Sequence, residues 1–146
     1  QAVFVEKTLY HGHSITPFKP IKDIIPFNAL YLLGIVNSKL LSWFGGIVLP
    51  NFGKEVFPKL NPQDIKQIPI RTIDFINPAE KRIHDRMVQL VEQMLALHKQ
   101  LVAAKTSHEQ TLIQRQIDAT DKQIDKLVYE LYDLTPEEID IVEGAP

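Results

Sequence analysis

The second half of the chain carries a hydrophobic repeat that leaves few folds open. From residue 83 to residue 134, apolar residues recur at alternating steps of three and four, broken once between the two runs. The two runs are Ile83, Met87, Leu90, Met94, Leu97, Leu101 and Ile113, Ile117, Thr120, Ile124, Leu127, Leu131, Leu134. Such spacing places each run on one stripe of a helix, as in a coiled coil. Because the linker is short, helices over Pro78–Ala104 and His108–Leu134 predict an antiparallel, coiled-coil-like helical hairpin.

Residues at the ends of these runs are typical of helix boundaries. Asn77 can cap the first helix, and Glu80 stands where a capping box places its acidic residue. Ser107, followed three residues later by glutamine, predicts a second capping box at the start of the next helix. Thr135 begins a last short helix, which Gly144 ends.

The first half has a different composition, because proline and glycine interrupt it repeatedly. Eight of the ten prolines lie before residue 79, and five of the six glycines lie before residue 54. Segments this short predict a small mixed unit rather than a helical bundle. We predict strands at Val3–Leu9, Ile47–Leu49 and Glu55–Phe57, a helix over Asn28–Phe44 ended by Gly45 and Gly46, a helical turn at Pro62–Gln67 capped by Asn61, and an extended sheet edge at Ile68–Ile70. The fold class expected is therefore α+β, with an α/β domain over residues 1–76 and a helical hairpin plus short C-terminal helix over residues 77–146.

Charge divides along the same boundary. Residues 1–76 hold eight Lys and Arg against five Asp and Glu, whereas residues 77–146 hold eight against thirteen. The first part can therefore face phosphates, while we expect the acidic hairpin to stay off a polyanion and its acids to form a solvated face. The chain has no cysteine, which excludes disulfides and thiolate metal sites, and we place the protein in a reducing cytoplasm. No apolar run reaches the roughly 18 residues of a membrane span, so we expect no membrane partner.

No residue pattern points to catalysis or to a metal site. The sequence lacks a Gly-x-Ser-x-Gly motif, a glycine-rich phosphate loop and an acidic cluster typical of metal-dependent nucleases, so we assign no catalytic residue. His11 and His13 are two residues apart, but further ligands at suitable spacing are missing, and we assign no metal ligand. The loop lysines, interleaved with Asn and Gln, fit phosphate and base contacts and fit ordinary surface residues equally well.

Three segments in this order resemble one family. The helix of residues 29–44 contains Asn37-Ser38-Lys39, residues 57–70 end in Ile68-Pro69-Ile70, and residues 116–132 contain the run from Asp125 to Tyr132 with Val-Tyr-x-Leu-Tyr. Together they resemble the TaqI-like C-terminal specificity (target recognition) domains of type II (IIG) restriction-modification enzymes and adenine-specific DNA methyltransferases. The hairpin is also similar to the spacer helices of type I specificity subunits.

The resemblance implies sequence-specific recognition of double-stranded DNA by a part of a larger enzyme. In that family these segments follow an adenine-specific methyltransferase, sometimes fused to an endonuclease, which uses S-adenosylmethionine and an Asn-Pro-Pro-aromatic motif. That motif is absent here, so we expect the methyltransferase and any nuclease, with their S-adenosylmethionine and Mg²⁺, upstream of Gln1 and no cofactor in this chain. The family's loops that approach DNA correspond to residues around 11–22 and 46–59. The resemblance therefore implies these DNA-binding candidates: His11, His13, Lys19, Lys22, Asn51, Lys54 and Lys59.

Two other classes of function stay open. The chain can be a coiled-coil interaction or oligomerisation module without DNA binding, in which the two hydrophobic runs pair between chains and form a homodimer. A small enzyme is the third class, which the lack of a converging acid–base or nucleophile arrangement disfavours.

Overall fold

The structure is a computed structural model that describes residues 2–3, 5, 28–49 and 62–144. Within these residues every regular element is a helix. The helices are α1 (Ala29–Asn37), α2 (Lys39–Val48), α3 (Pro62–Ile65), α4 (Pro78–Ala103), α5 (Ser107–Leu131) and α6 (Pro136–Glu143).

The predicted helical hairpin is present as α4 and α5. Three residues join the two helices, and the side chain of Arg86 near the start of α4 donates to Gln123 in the second half of α5, as antiparallel packing requires. All members of both hydrophobic runs are buried or half-buried. Thr120, the polar member, is 1% exposed, and its hydroxyl donates to the Gln116 carbonyl at 2.8 Å. Its hydrogen bond is thus made within its own helix, which lets a hydroxyl lie in an apolar seam.

Helices α1 and α2 pack on one side of this hairpin and complete the core. Tyr31 and Ile35 of α1 are fully buried, as are Met87 of α4 and Val128 of α5. The contact between α1 and α4 is close at Gly34, where a Cβ would lie 2.5 Å from the Met87 sulfur. The crossing therefore favours glycine, because a side chain at this position would displace Met87.

The single helix predicted over residues 28–44 is wrong in two respects. It breaks at Ser38, where α1 and α2 meet at 62°. Ser38 is the N-cap of α2, and its side chain accepts from the Leu41 amide at 3.3 Å. In addition, Gly45 and Gly46 do not end the helix, which continues to Val48. Each glycine costs a helix about 1 kcal/mol relative to alanine, and burial of the Leu40, Leu41 and Gly45 face against the core offsets that cost.

The α+β fold class is also wrong, since residues 28–49 and 62–144 contain no strand. Ile47 and Val48, predicted to lie in a strand, belong to α2. The extended sheet edge predicted at Ile68–Ile70 is not seen: Ile68 lies in a bend, and residues 69–74, named here the linking segment, have no regular secondary structure. Side chains from the helices bond several backbone groups of this segment instead of a neighbouring strand, as described below. Most of Val3–Leu9, all of Glu55–Phe57 and the cap Asn61 lie outside the described residues.

The helix starts follow the predictions in part. Asn77 caps α4 by accepting from the Ala79 amide at 2.9 Å. Glu80 does not complete a capping box, because its carboxylate accepts from the Asp74 amide at 2.7 Å. Glu80 thus holds the linking segment against α4, a use that its spacing from Asn77 does not reveal.

The second capping box lies one residue before the predicted position. Thr106 and Glu109 form it, so α5 begins at Ser107 instead of using Ser107 as its cap. The last helix is confirmed: Thr135 caps α6, and Gly144 ends it in the left-handed conformation at φ 75°.

The domain boundary between residues 76 and 77 stays a prediction.

Over the described ranges, no single helix has the length and apolar character to cross a membrane. The bent pair α1–α2 reaches that length and character only when its two helices are taken together.

Candidate nucleic-acid interface

All the DNA-binding candidates lie outside the described residues, in two segments that the structure brackets. The first segment, residues 6–27, is followed by Asn28 at the start of α1. The second, residues 50–61, runs from the end of α2 to α3. The structure therefore shows the frame to which both segments are attached. The seven assignments remain predictions: His11, His13, Lys19, Lys22, Asn51, Lys54 and Lys59.

The end of the first segment is held by a histidine of α4. The backbone amide of Asn28 donates to Nε2 of His84 at 3.2 Å. The His84 ring is 7% exposed and lies between Tyr31 and Phe75, with ring centroids 5.2 and 5.0 Å away. His84 therefore joins α1, α4 and the turn before α4 at one point.

The hydrogen bonds of His84 define its tautomer. Since Nε2 accepts from an amide, the proton is on Nδ1, which lies 2.9 Å from an Asp85 carboxylate oxygen. The second oxygen of Asp85 accepts from the Lys81 ammonium at 2.7 Å. The hydrogen bond from Lys81, followed by that from His84, lowers the pKa of Asp85, so this carboxylate stays ionised and orients the ring.

A second anchor lies at the other end of α1. The Asn37 side chain accepts from the Ala2 amide at 2.7 Å and donates to the Ala2 carbonyl at 3.0 Å. Asn37 thus pairs with one residue of backbone as a neighbouring strand would. The nine residues of α1 separate this anchor from the Asn28 anchor by about 13 Å at 1.5 Å per residue.

The break between α1 and α2 is held by helices α5 and α6. The Asp125 carboxylate accepts from the Lys39 amide at 2.9 Å, and Asp125 is only 3% exposed. Burial raises the pKa of Asp125, although the hydrogen bond from Lys39 opposes that shift. The Lys39 ammonium pairs with Glu143, which also accepts from the Tyr129 hydroxyl at 2.7 Å. These hydrogen bonds, that of Lys39 first, lower the pKa of Glu143.

The linking segment before α4 is held by two tyrosines. The Tyr132 hydroxyl donates to the Pro69 carbonyl at 2.6 Å and accepts from the Arg71 amide at 3.2 Å. The Tyr31 hydroxyl donates to the Arg71 carbonyl at 2.8 Å. Burial raises the pKa of both phenols, so they stay protonated and able to donate.

The three sequence motifs therefore meet in space, with the third motif in contact with each of the other two. From the third, Asp125 contacts Lys39 of the first motif, and Tyr132 contacts Pro69 of the second. The contacts made by these motif residues are capping, pairing and anchoring contacts within the chain. We name Lys39, Pro69, Asp125 and Tyr132 the motif junction. In the described structure it fixes α1, α2 and the linking segment on the hairpin.

A comparison with characterised proteins gives one informative match. Over 115 residues, 78% of its length, the chain is 30% identical to the type II restriction enzyme and methyltransferase RM.Eco57I of Escherichia coli. The chain is similar to part of a restriction-modification enzyme. It spans 11% of that enzyme's length.

The length of the match shows which features it includes. A stretch covering 78% of 146 residues necessarily includes residues 33–114. The first two motifs, the segment 50–61 and all of α4 therefore lie inside the region of similarity. No family model matches the chain, and no solved structure matches it significantly.

Two contact residues were not recognised in the sequence. The acids of the hairpin were predicted to form a solvated face, and this is wrong for Asp125, which is buried. Asp125, Tyr129 and Tyr132 form a second stripe at steps of four and three, and they contact α2, α6 and Pro69. His84 has no recognisable role in the sequence, because with His98 and His108 it lies at a spacing unsuitable for metal ligation. Within residues 28–49 and 62–144, no three His, Asp or Glu side chains cluster as metal ligands.

Proposed function

We propose that this chain is the DNA sequence-recognition part of a restriction-modification protein whose catalytic domains lie elsewhere. In this proposal the segments 6–27 and 50–61 contact the duplex, and the motif junction holds them on a rigid hairpin. The similarity to RM.Eco57I over residues 33–114 or more carries the proposal. S-adenosylmethionine, and Mg²⁺ for any fused nuclease, belong to the parent protein, together with the methyltransferase that the hairpin would dock against.

The frame supports this division of labour. Recognition residues are commonly found on loops positioned by a rigid scaffold. Segment 6–27 is bracketed by Ala2 and Asn28, which are hydrogen-bonded to Asn37 and to His84. Segment 50–61 starts after Leu49, which is 4% exposed and donates its amide to Gly45. Both ends of segment 6–27 and the first end of segment 50–61 are thus close to a residue that a hydrogen bond holds in place.

The alternative of an interaction module built on the hydrophobic runs has less support. Both runs are buried or half-buried by packing of α4 on α5 within one chain. Pairing between chains would require these same residues to separate first. The alternative is tested by sedimentation: a tight dimer that is lost on Leu127→Asp would favour pairing of the runs between chains, whereas a monomer would refute it.

The proposal is tested by charge reversal in segment 50–61. Lys54→Glu and Lys59→Glu, singly and together, should weaken binding to a duplex and flatten its dependence on salt. Each lost phosphate contact should reduce the slope of log K against log salt by about 0.9. Lys66→Glu is the matched control, because Lys66 is an exposed lysine just beyond the segment.

The results separate the two classes of function. Weaker binding by the Lys54 and Lys59 variants, with the Lys66 variant unchanged, is the expected result. Duplex binding that survives both reversals would refute the assignment of segment 50–61 to DNA. Far-UV circular dichroism of each variant establishes that the helices are retained.

A further inference from the structure

Charge is distributed unequally along the hairpin, in a way that the total for residues 77–146 conceals. We name residues 96–117 the hairpin tip, and residues 118–144, which include α6, the hairpin base. The tip has three Lys and Arg and one acidic residue, a balance of +2. The base has two lysines and nine acidic residues, a balance of −7. Residues 78–95 have three of each sign and are neutral. The whole acidic excess therefore belongs to the base.

The cations of the tip are available to a partner. Lys99, Lys105 and Arg115 are exposed, and none of them forms an ion pair with any acid in the described parts of the chain. The acid of the tip, Glu109, is turned toward the backbone and accepts from the amides of Lys105 and Thr106, each at 3.2 Å. The three cations thus have no carboxylate in contact to neutralise them.

The tip also projects beyond the core. Core members on α4 extend to Leu95, and those on α5 begin at Ile124. Beyond these levels α4 and α5 pack on each other through Leu97 and Ile117, with no third described helix in the core there. The eight residues of α4 after Leu95 make an arm of about 12 Å at 1.5 Å per residue. Charged residues on such an arm can reach a surface that the core does not touch.

Distance keeps the end of the tip apart from the acids of the base. From Ser107, two residues after Lys105, to Asp118, the first acid of the base, α5 rises about 16 Å, whereas Arg115 lies one turn before Asp118. Salt screens exposed charges over about 8–10 Å at physiological ionic strength. An incoming polyanion therefore meets the end of the tip as a local positive surface, although the hairpin as a whole is acidic.

The surroundings of these cations also suit a phosphate backbone. Gln100 and Gln116 are exposed on the tip together with His98 and His108, whereas Gln110 donates to the Ala104 carbonyl and Gln114 to Asp118. Amide groups next to Lys and Arg are common donors to phosphate and sugar oxygens, which position a protein without reading sequence. Exposed glutamines alone would also suit contact with another protein. The three cations, which have no carboxylate in contact, favour a polyanionic partner.

We propose that the hairpin tip is a second DNA contact, which binds the phosphate backbone without sequence preference. This inference rests on the proposed function, because it assigns a further surface to the same duplex. Segments 6–27 and 50–61 would select the site, and Lys99, Lys105 and Arg115 would hold the flanking duplex. In this proposal the acidic base stays off the DNA, and the tip is the exception to the expectation that the whole hairpin does so.

The test is a salt titration of binding to a duplex of random sequence. A duplex of about 30 base pairs, at 3.4 Å per step, is longer than the hairpin. Neutralising the tip with Lys99→Gln, Lys105→Gln and Arg115→Gln removes three positive charges. Three phosphate contacts should lower the slope of log K against log salt by about 2.7, and affinity at 0.1 M salt by up to about 500-fold, with about 8-fold for one contact.

A matched control removes the same charge elsewhere on the hairpin. Arg82, Lys122 and Lys126 are exposed and form no ion pair in the described residues. Their triple change to glutamine should leave the slope within about 0.5 of the wild type, less than one phosphate contact. Equal losses in both triple variants would overturn the inference, because they would report net charge alone.

The outcomes also separate this inference from the proposed function. If the tip variant binds like the wild type while Lys54→Glu and Lys59→Glu weaken binding, the tip contact is refuted and the proposed function stands. If only the tip variant weakens binding, the tip contact stands and the assignment of segment 50–61 fails. A wild-type chain that does not bind duplex at all refutes both, and a tip variant that loses a dimer in sedimentation instead of DNA assigns the tip to a second copy.

Discussion

Replacing Gly34 by alanine perturbs the close approach of α1 to α4 at a single atom. The added Cβ would lie 2.5 Å from the Met87 sulfur and 3.0 Å from Cγ2 of Val91. Met87 is fully buried, so its side chain can move only by displacing other core residues. Overpacking of this kind costs about 1–3 kcal/mol. The same change gains about 1 kcal/mol of helix propensity.

The sum is a net destabilisation of about 1 kcal/mol, taken from the middle of the overpacking range. Gly46 supplies a matched control, because it is also helical and a Cβ there would meet nothing within 4 Å. Gly46→Ala should therefore stabilise the protein by about 0.5–1 kcal/mol. The two substitutions are chemically identical and should have opposite signs.

Urea unfolding followed by far-UV circular dichroism measures both free energies of unfolding, with unchanged m-values showing that two-state behaviour is retained. Shortening the methionine gives an independent check: in a Met87→Ala background, Gly34→Ala should become stabilising, because its Cβ fills space that the methionine has left. Gly34→Ala that stabilises the wild type as much as Gly46→Ala does would refute the close packing of α1 on α4.

Three further predictions concern the contacts that hold the frame. Asp125→Ala should destabilise the protein by about 1–2 kcal/mol, since it removes the acceptor at the start of α2. Because burial raises the pKa of Asp125, the folded state binds the Asp125 proton more tightly than the unfolded state does. The stability of the wild type should therefore fall as pH rises through that pKa. Calorimetric melting should show Asp125→Asn gaining stability relative to the wild type over the same pH rise. Thr106→Ala should cost about 1 kcal/mol in urea unfolding, and Ser107→Ala less than about 0.5; the reverse order would return the capping box to Ser107. His84→Gln should keep an acceptor for the Asn28 amide and leave the NMR shift and exchange protection of that amide close to the wild type. His84→Leu should lose both. Equal loss in the two variants would refute this anchor.

The hairpin could be predicted from the sequence because its signal is local and repeated. Each seam residue repeats the spacing of the one before, so a shift of one helix cap from Ser107 to Thr106 leaves the stripe unchanged. The second stripe, from Asp125 to Tyr132, was missed because its polar members read as solvent-facing residues. Asp125 is buried because its carboxylate accepts from the Lys39 amide at the start of α2, and only the structure shows this contact.

The first half could not be predicted in the same way, because its conformation depends on distant partners. The break at Ser38 is fixed by Asp125, 87 positions later in the chain. Ile68–Ile70 have the sequence of a sheet edge, yet tyrosine hydroxyls and Glu80 bond the backbone from Pro69 to Asp74 in place of a strand. Gly45 and Gly46 stay helical because one face of α2 is buried. The candidate DNA-binding residues come from the resemblance, and only binding experiments test them.

The two anchors of segment 6–27 have an evolutionary consequence, since Ala2 and Asn28 are held at opposite ends of the same rigid helix. Closing a chain between two fixed points costs only about 0.6 kcal/mol more for each doubling of its length. Changes in the length of the chain between residues 6 and 27 therefore cost little closure free energy while Asn37 and His84 keep their partners. Under the proposed function, a chain anchored in this way can exchange its contact surface as a cassette and acquire new binding preferences.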